Sequence, residues 1–97
     1  MPLLQIQTSS QVTGPGGAVG LIKTLSAALA KELGKPESYV MVAFESDAVM
    51  LFAGTSEPAC FAALKNIGSF SPAQTERLSA LLCTRLSEAL NVPVISA

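Results

Sequence analysis

The sequence contains no histidine and only two cysteines among its 97 residues, which limits the acid–base chemistry available to it. Without histidine, a Ser-His-Asp hydrolase, a Cys-His hydrolase and a His-ligated metal site are excluded. Cys60 and Cys83 form no Cys-x-x-Cys motif, so we interpret them as small apolar residues and not as a redox pair. A general base would have to be a carboxylate, a lysine, the single tyrosine or the chain terminus.

Pro2 is the most interesting candidate for that base. A proline in second position generally permits removal of Met1, which would leave a secondary amine at the N-terminus. An α-amino group titrates at about 7.7–8.0, and burial lowers the pKa of an amine because the charged form loses hydration. A neutral amine with a pKa near the working pH is an effective general base. The structural alternative is a proline that only opens an edge strand.

Lys35 is the second candidate, in the sequence Gly34-Lys35-Pro36. It can complement the negative C-terminal end of a helix, or it can hold a carboxylate substrate. A glycine cluster further upstream invites a dinucleotide-binding interpretation, but Val19 stands where the fingerprint requires glycine and no Gly-Lys-Ser/Thr follows. We interpret the cluster as a flexible strand-to-helix loop. It comprises Gly14, Gly16, Gly17 and Gly20.

A repeat with a spacing of 57 residues organises the elements that would position these groups. Four leucines in helical spacing recur in the second half of the chain, as Leu21, Leu25, Leu29 and Leu33 and then as Leu78, Leu82, Leu86 and Leu90. They predict one amphipathic helix that stops at Gly34 and a second that begins with a capping box of Ser71 and Gln74 around Pro72.

Strands are predicted at 3–8, 39–44, 48–53 and 59–67. The resulting order predicts an α+β fold (α/β, two-layer) of duplicated β-α-β units, with two helices on one face of a mixed four-stranded sheet. The continuously apolar strand 39–44 needs cover on its second face, which oligomerisation would supply. Its counterpart falls at 96–101, so we expect a second unit truncated at the C-terminus, with only 94–97 hinting at the strand. We treat 1–97 as one domain with pseudo-repeats of about 1–53 and 59–97.

The amino-acid composition argues against two classes of binding partner, nucleic acids and membrane surfaces. The formal net charge of −1 leaves no basic surface for nucleic acid, and the basic residues are too scattered for a polybasic membrane patch. The sequence shows neither an apolar run of about 18 residues nor a signal peptide. We therefore expect a cytoplasmic protein.

Four motifs resemble the macrophage migration inhibitory factor family of tautomerases, over a stretch from Met1 to about Leu90. They are Met1-Pro2-Leu3-Leu4-Gln5-Ile6, Gly34-Lys35-Pro36-Glu37-Ser38-Tyr39-Val40, Gly54-Thr55-Ser56-Glu57-Pro58 and Asn66-Ile67-Gly68. The resemblance implies a homotrimer and the keto–enol tautomerisation of phenylpyruvate-like α-keto acids, without a cofactor or metal. It also implies cytokine-like signalling, and secretion without a signal peptide as an alternative location.

The resemblance also implies the roles of individual residues. Pro2 would be the catalytic base, Lys35 would contact the substrate carboxylate or carbonyl oxygen, Ile67 would contact substrate, and Tyr39 would lie near the rim of the pocket. Ala59-Cys60-Phe61-Ala62 replaces the Cys-x-x-Cys of some animal members, so a thiol–disulfide activity does not carry over.

Members of this family usually continue beyond the end of this sequence, into further pocket residues and a strand that pairs with a neighbouring subunit. One alternative is therefore a catalytically impaired binding or signalling protein of the same fold. A truncated product that aggregates through an exposed strand edge is a third interpretation.

Overall fold

The computed structural model describes residues 2–12, 16–66, 70–90, 92 and 94–96. A four-stranded sheet has the order β2-β1-β3-β4, formed by β1 (Leu3–Thr8), β2 (Met41–Glu45), β3 (Cys60–Lys65) and β4 (Val94–Ser96). β1 is parallel to β2, β3 is parallel to β4, and the two central strands are antiparallel. Two parallel pairs therefore meet at the centre of one mixed sheet.

Two helices cover one face of this sheet, α1 (Gly17–Leu33) and α2 (Pro72–Leu90). Alternate strand residues, including Leu4, Ile6 and Ala62, turn toward them and are buried. The leucine stripes of both helices complete the same core. The predicted two-layer α+β architecture is confirmed. Among the described residues no helix is long and apolar enough to cross a membrane.

The helix ends follow local sequence signals. α1 ends where Gly34 adopts a left-handed conformation with φ 65°, and the Lys35 N–H donates to the Ala30 carbonyl at 3.1 Å. At the start of α2 the Gln74 N–H donates to Ser71 Oγ at 3.1 Å and the Ser71 N–H donates to Gln74 Oε1 at 3.2 Å. The predicted C-terminal stop and capping box are both confirmed.

The strand predicted at 48–53 is wrong, because the structure forms only an isolated bridge between Phe52 and Thr55 there. Positive φ angles at Asp47 and Ala53 turn the chain at both ends of this segment. The apolar residues between them are largely exposed and have no partner strand within the described chain. Strand-like composition alone does not make a strand, because the backbone needs a neighbour with which to pair.

The fourth strand forms earlier than the repeat predicts. Seven residues (34–40) connect α1 to the counterpart strand β2, whereas only three residues (91–93) connect α2 to β4. β2 itself begins at Met41 and not at 39, because residues 37–39 form a 3₁₀ turn in which the Tyr39 N–H donates to the Pro36 carbonyl. The longer connection in the first unit, 34–40, forms part of the candidate site.

Candidate functional site

Pro2 lies immediately before β1 and is fully buried. Its carbonyl accepts a hydrogen bond from the Met41 N–H at 3.0 Å, which extends the β1–β2 pairing by one step. Sheet pairing therefore fixes the backbone of Pro2 on the side of β2. A reacting group held by a sheet is positioned more firmly than one on a free chain end.

A cleft of ≈ 420 Å³ opens beside Pro2 and is lined by Pro2, Lys35, Pro36 and Tyr39. Three of the four residues predicted to act in the site therefore line one cavity. The fourth, Ile67, lies outside the described residues. Pro36 also lines the cleft, although no role is predicted for it from the sequence. Its place beside Lys35 in the Gly34-Lys35-Pro36 motif is the sequence signal that identifies it as a lining residue.

The connection between α1 and β2 builds the outer wall of this cleft. The left-handed turn at Gly34 reverses the chain, Pro36 is extended with φ −60° and ψ 141°, and the 3₁₀ turn then presents Tyr39. The corresponding connection after α2 is four residues shorter, since residues 91–93 replace 34–40. The first unit therefore has a longer helix-to-strand connection than the second.

The electrostatics of the cleft are simple. Lys35 is the one charged group among its described lining residues, and the apolar surface of the lining exceeds its polar surface. The ammonium group of Lys35 can pair with an anionic ligand, and the rest of the described lining consists of two prolines and the Tyr39 side chain.

Two other concavities among the described residues lack this combination of Pro2 with a single cation. A larger and shallower one of ≈ 690 Å³ runs along α2, with Glu76 as its only carboxylate, and it contains none of the predicted site residues. Gly17 and Gly20 line a groove between the helices opposite Arg85 and Glu88, whose charges cancel. Within the described part of the chain, no three His, Cys, Asp or Glu residues are grouped closely enough to hold a metal ion.

Comparisons with known proteins agree on one relationship. The family model for macrophage migration inhibitory factor matches residues 1–95. The macrophage migration inhibitory factor of Rattus norvegicus is 35% identical over 92 residues, covering 95% of this chain and 78% of the relative. A homologue from Trichinella spiralis is 31% identical over 93 residues, covering 96% of this chain and 80% of the relative. The solved homologue from Prochlorococcus marinus superposes with a TM-score of 0.84 at 34% identity, covering 98% and 86% of the two chains.

Proposed function

The chain belongs to the macrophage migration inhibitory factor family, in the tautomerase superfamily, and from that premise we propose that it is a keto–enol tautomerase of phenylpyruvate-like α-keto acids. Pro2 is the general base and Lys35 binds the substrate. The observation that carries the proposal is the buried Pro2 in an apolar cleft whose one described charge is Lys35. A cytoplasmic enzyme, with secretion and a cytokine-like role in addition, fits the same family.

The reaction is an isomerisation that needs no outside reagent. The lone pair of the Pro2 nitrogen takes a proton from the carbon next to the ketone, so that the C–H bond breaks and an N–H bond forms. Negative charge develops on the carbonyl oxygen, and a fixed ammonium group stabilises it most where water is excluded. The protonated amine then returns the same proton to the oxygen, which gives the enol and restores the base.

Substrate contacts follow from the lining of the cleft. The Lys35 ammonium group pairs with the substrate carboxylate or the developing oxyanion, as a charge-assisted hydrogen bond. Tyr39 is 58% exposed at the rim, where its ring can pack against an aromatic substrate. Ile67 contacts the substrate in this proposal, on the basis of the family resemblance alone.

A homotrimer is part of the proposal. β2 is an edge strand, and exposed apolar residues occur on it and in the segment that follows, among them Met41, Val49, Leu51 and Phe52. A small domain that exposes such a patch gains stability by burying it against other copies of itself.

The test of the catalytic proposal combines intact-mass analysis with an assay of phenylpyruvate enolisation. We expect the purified protein to lack Met1, and we expect Pro2→Gly to reduce kcat/KM by roughly a hundredfold, as is typical for loss of a general base. Pro58→Gly is the matched control, because Pro58 is exposed and does not line the cleft. Its neighbour Ala59 is hydrogen-bonded to Thr8, at the end of β1 opposite to Pro2, so the variant should retain activity.

Two results would overturn the mechanism, namely retention of Met1 in an active protein or full activity of Pro2→Gly. A trimer with a free Pro2 amine and no turnover would instead favour a binding or signalling role for the same cleft.

A further inference from the structure

The register of the two central strands places a second polar group beside Pro2. Leu3 pairs with Lys65 across the antiparallel β1–β3 ladder, and Leu4 pairs with Leu64. One further step in this register sets Pro2 opposite Asn66. Directly opposed residues in antiparallel strands have Cβ atoms about 4.5–5.5 Å apart. The side chain of Asn66 is therefore a neighbour of the Pro2 side chain.

The two side chains also share a face of the sheet. Leu4, Ile6 and Thr8 turn toward the helices on β1, as do Cys60 and Ala62 on β3. Alternation along each strand assigns Pro2 and Asn66 to that same side. Pro2 is fully buried there, and Asn66 is half-buried.

Asn66 carries a buried oxygen with unused hydrogen-bonding capacity. Its Oδ1 is buried and accepts no hydrogen bond from the residues that the structure describes. The buried hydroxyl of Thr8, by contrast, donates to the Ala59 carbonyl at 2.9 Å. A buried acceptor without a donor costs free energy, so its retention calls for an explanation.

We propose that Asn66 is a positioning residue for Pro2, and that its Oδ1 accepts a hydrogen bond from the N–H of the Pro2 amine. A neutral secondary amine has one N–H and one lone pair. If the N–H points to Asn66, the lone pair points away from β3, toward the cleft lined by Lys35 and Tyr39. The inference rests on the proposed function in that it requires Pro2 to be the N-terminal residue.

The interaction sets the basicity of the amine as well as its direction. An acceptor stabilises the protonated amine more than the neutral one and so raises its pKa, in opposition to burial. The other titratable groups nearby are Lys35 and Tyr39 in the cleft, Glu37 in the 3₁₀ turn, and Lys65 on the exposed side of β3. Substitution of Asn66 by alanine leaves all four unchanged, so a shift in the pKa of Pro2 reports on the amide.

The experiment is a titration of the Pro2 amine by NMR in the 97-residue protein labelled with ¹⁵N-proline, alongside the pH profile of kcat/KM for phenylpyruvate. We expect Asn66→Ala to lower the pKa of the amine by about one unit, the equivalent of one hydrogen bond to a charged group. The isosteric Asn66→Asp should raise it, because a carboxylate favours the charged amine. The acidic limb of the rate profile should move in the same directions.

Gln5→Ala is the control. It removes a side-chain amide that lies in β1, on the exposed sheet face opposite to that of Pro2 and Asn66, and it should leave the titration of the Pro2 amine unchanged. The inference is overturned if the amine of folded Asn66→Ala and Asn66→Asp titrates as in the unsubstituted protein, or if both variants shift it in one direction. If the two variants move it in opposite directions but no variant turns over phenylpyruvate, Asn66 positions the amine and the proposed function fails. A retained Met1 leaves no amine to titrate and overturns both.

Discussion

The two cysteines occupy positions that give their thiols different chemistry. Cys60 is fully buried in the central strand β3, and this burial, with a smaller contribution from Cys83, raises the pKa of the Cys60 thiol from 9.0 to about 11. Cys83 lies half-buried on α2 and lines the surface concavity of that helix. Because the thiolate is the reactive form, the burial and the raised pKa of Cys60 both disfavour its reaction in the folded protein.

We therefore expect a thiol reagent at mildly alkaline pH to modify Cys83 readily and Cys60 only after unfolding. Cys83→Ser should abolish the fast reaction and Cys60→Ser should leave it intact, as measured by mass after timed alkylation. Fast modification of Cys60 in the folded protein would contradict this assignment.

The raised pKa of Cys60 also makes stability depend on pH, since this thiol ionises at a lower pH in the unfolded chain than in the folded protein. The contribution of Cys60 to the free energy of unfolding is complete below pH 9.0 and is lost as the pH rises toward about 11.

The site residues illustrate how far single positions can be interpreted from sequence. Pro2 has the right type for a terminal base but is equally suited to opening a strand, and no local pattern distinguishes the two. Its burial depends on pairing with Met41, which is far away in sequence. Asn66 belongs to the motif Asn66-Ile67-Gly68, but its place opposite Pro2 could not be predicted, because that place follows from the register of two strands that are distant along the chain.

At the scale of elements, helices were predictable to within a residue and strands were less so. The leucine spacing and the end signals at Gly34 and Ser71 are local, and the structure uses them directly. Strand formation depends on partners, which is why 48–53 fails to pair and β2 starts only after the 3₁₀ turn. The helix leucines repeat at a spacing of 57 residues. The buried residues of β1 and those of β3 are separated by an even number of positions, so the odd spacing of 57 does not relate the two strands.

The capping box of α2 gives a prediction at this scale. Ser71→Ala removes the acceptor for the Gln74 N–H, and we expect it to lower the free energy of unfolding by about 1 kcal/mol. Ser87→Ala, at an exposed position inside the same helix, is the control and should change stability by less than about 0.5 kcal/mol. Urea denaturation followed by circular dichroism measures both. Equal effects at the two serines would show that the cap contributes nothing specific.

The molecule as a whole has one covered and one uncovered sheet face. Both helices pack on the same side, and the core lies between them and the sheet. The apolar character of strand 39–44 predicted a need for further cover, and Met41 is 53% exposed in the single chain. The sequence predicts a partner for this face because an apolar strand is costly to expose, and the fold identifies the exposed residues that would meet such a partner.

Oligomeric assembly is therefore the last prediction, and two valines allow a matched test. Val49 is fully exposed in the segment after β2, and Val19 is 59% exposed on the outer side of α1. If three copies associate through the β2 edge, Val49→Asp places a charge in the interface, whereas Val19→Asp leaves its charge in water.

We expect sedimentation to show a trimer of 10.0 kDa chains for the unsubstituted protein and for Val19→Asp, and a monomer for Val49→Asp. A monomeric unsubstituted protein, or identical behaviour of the two variants, would place the interface elsewhere or remove it. Because the cleft around Pro2 opens beside the same edge strand, the phenylpyruvate assay on the Val49→Asp monomer also measures whether one chain suffices for turnover.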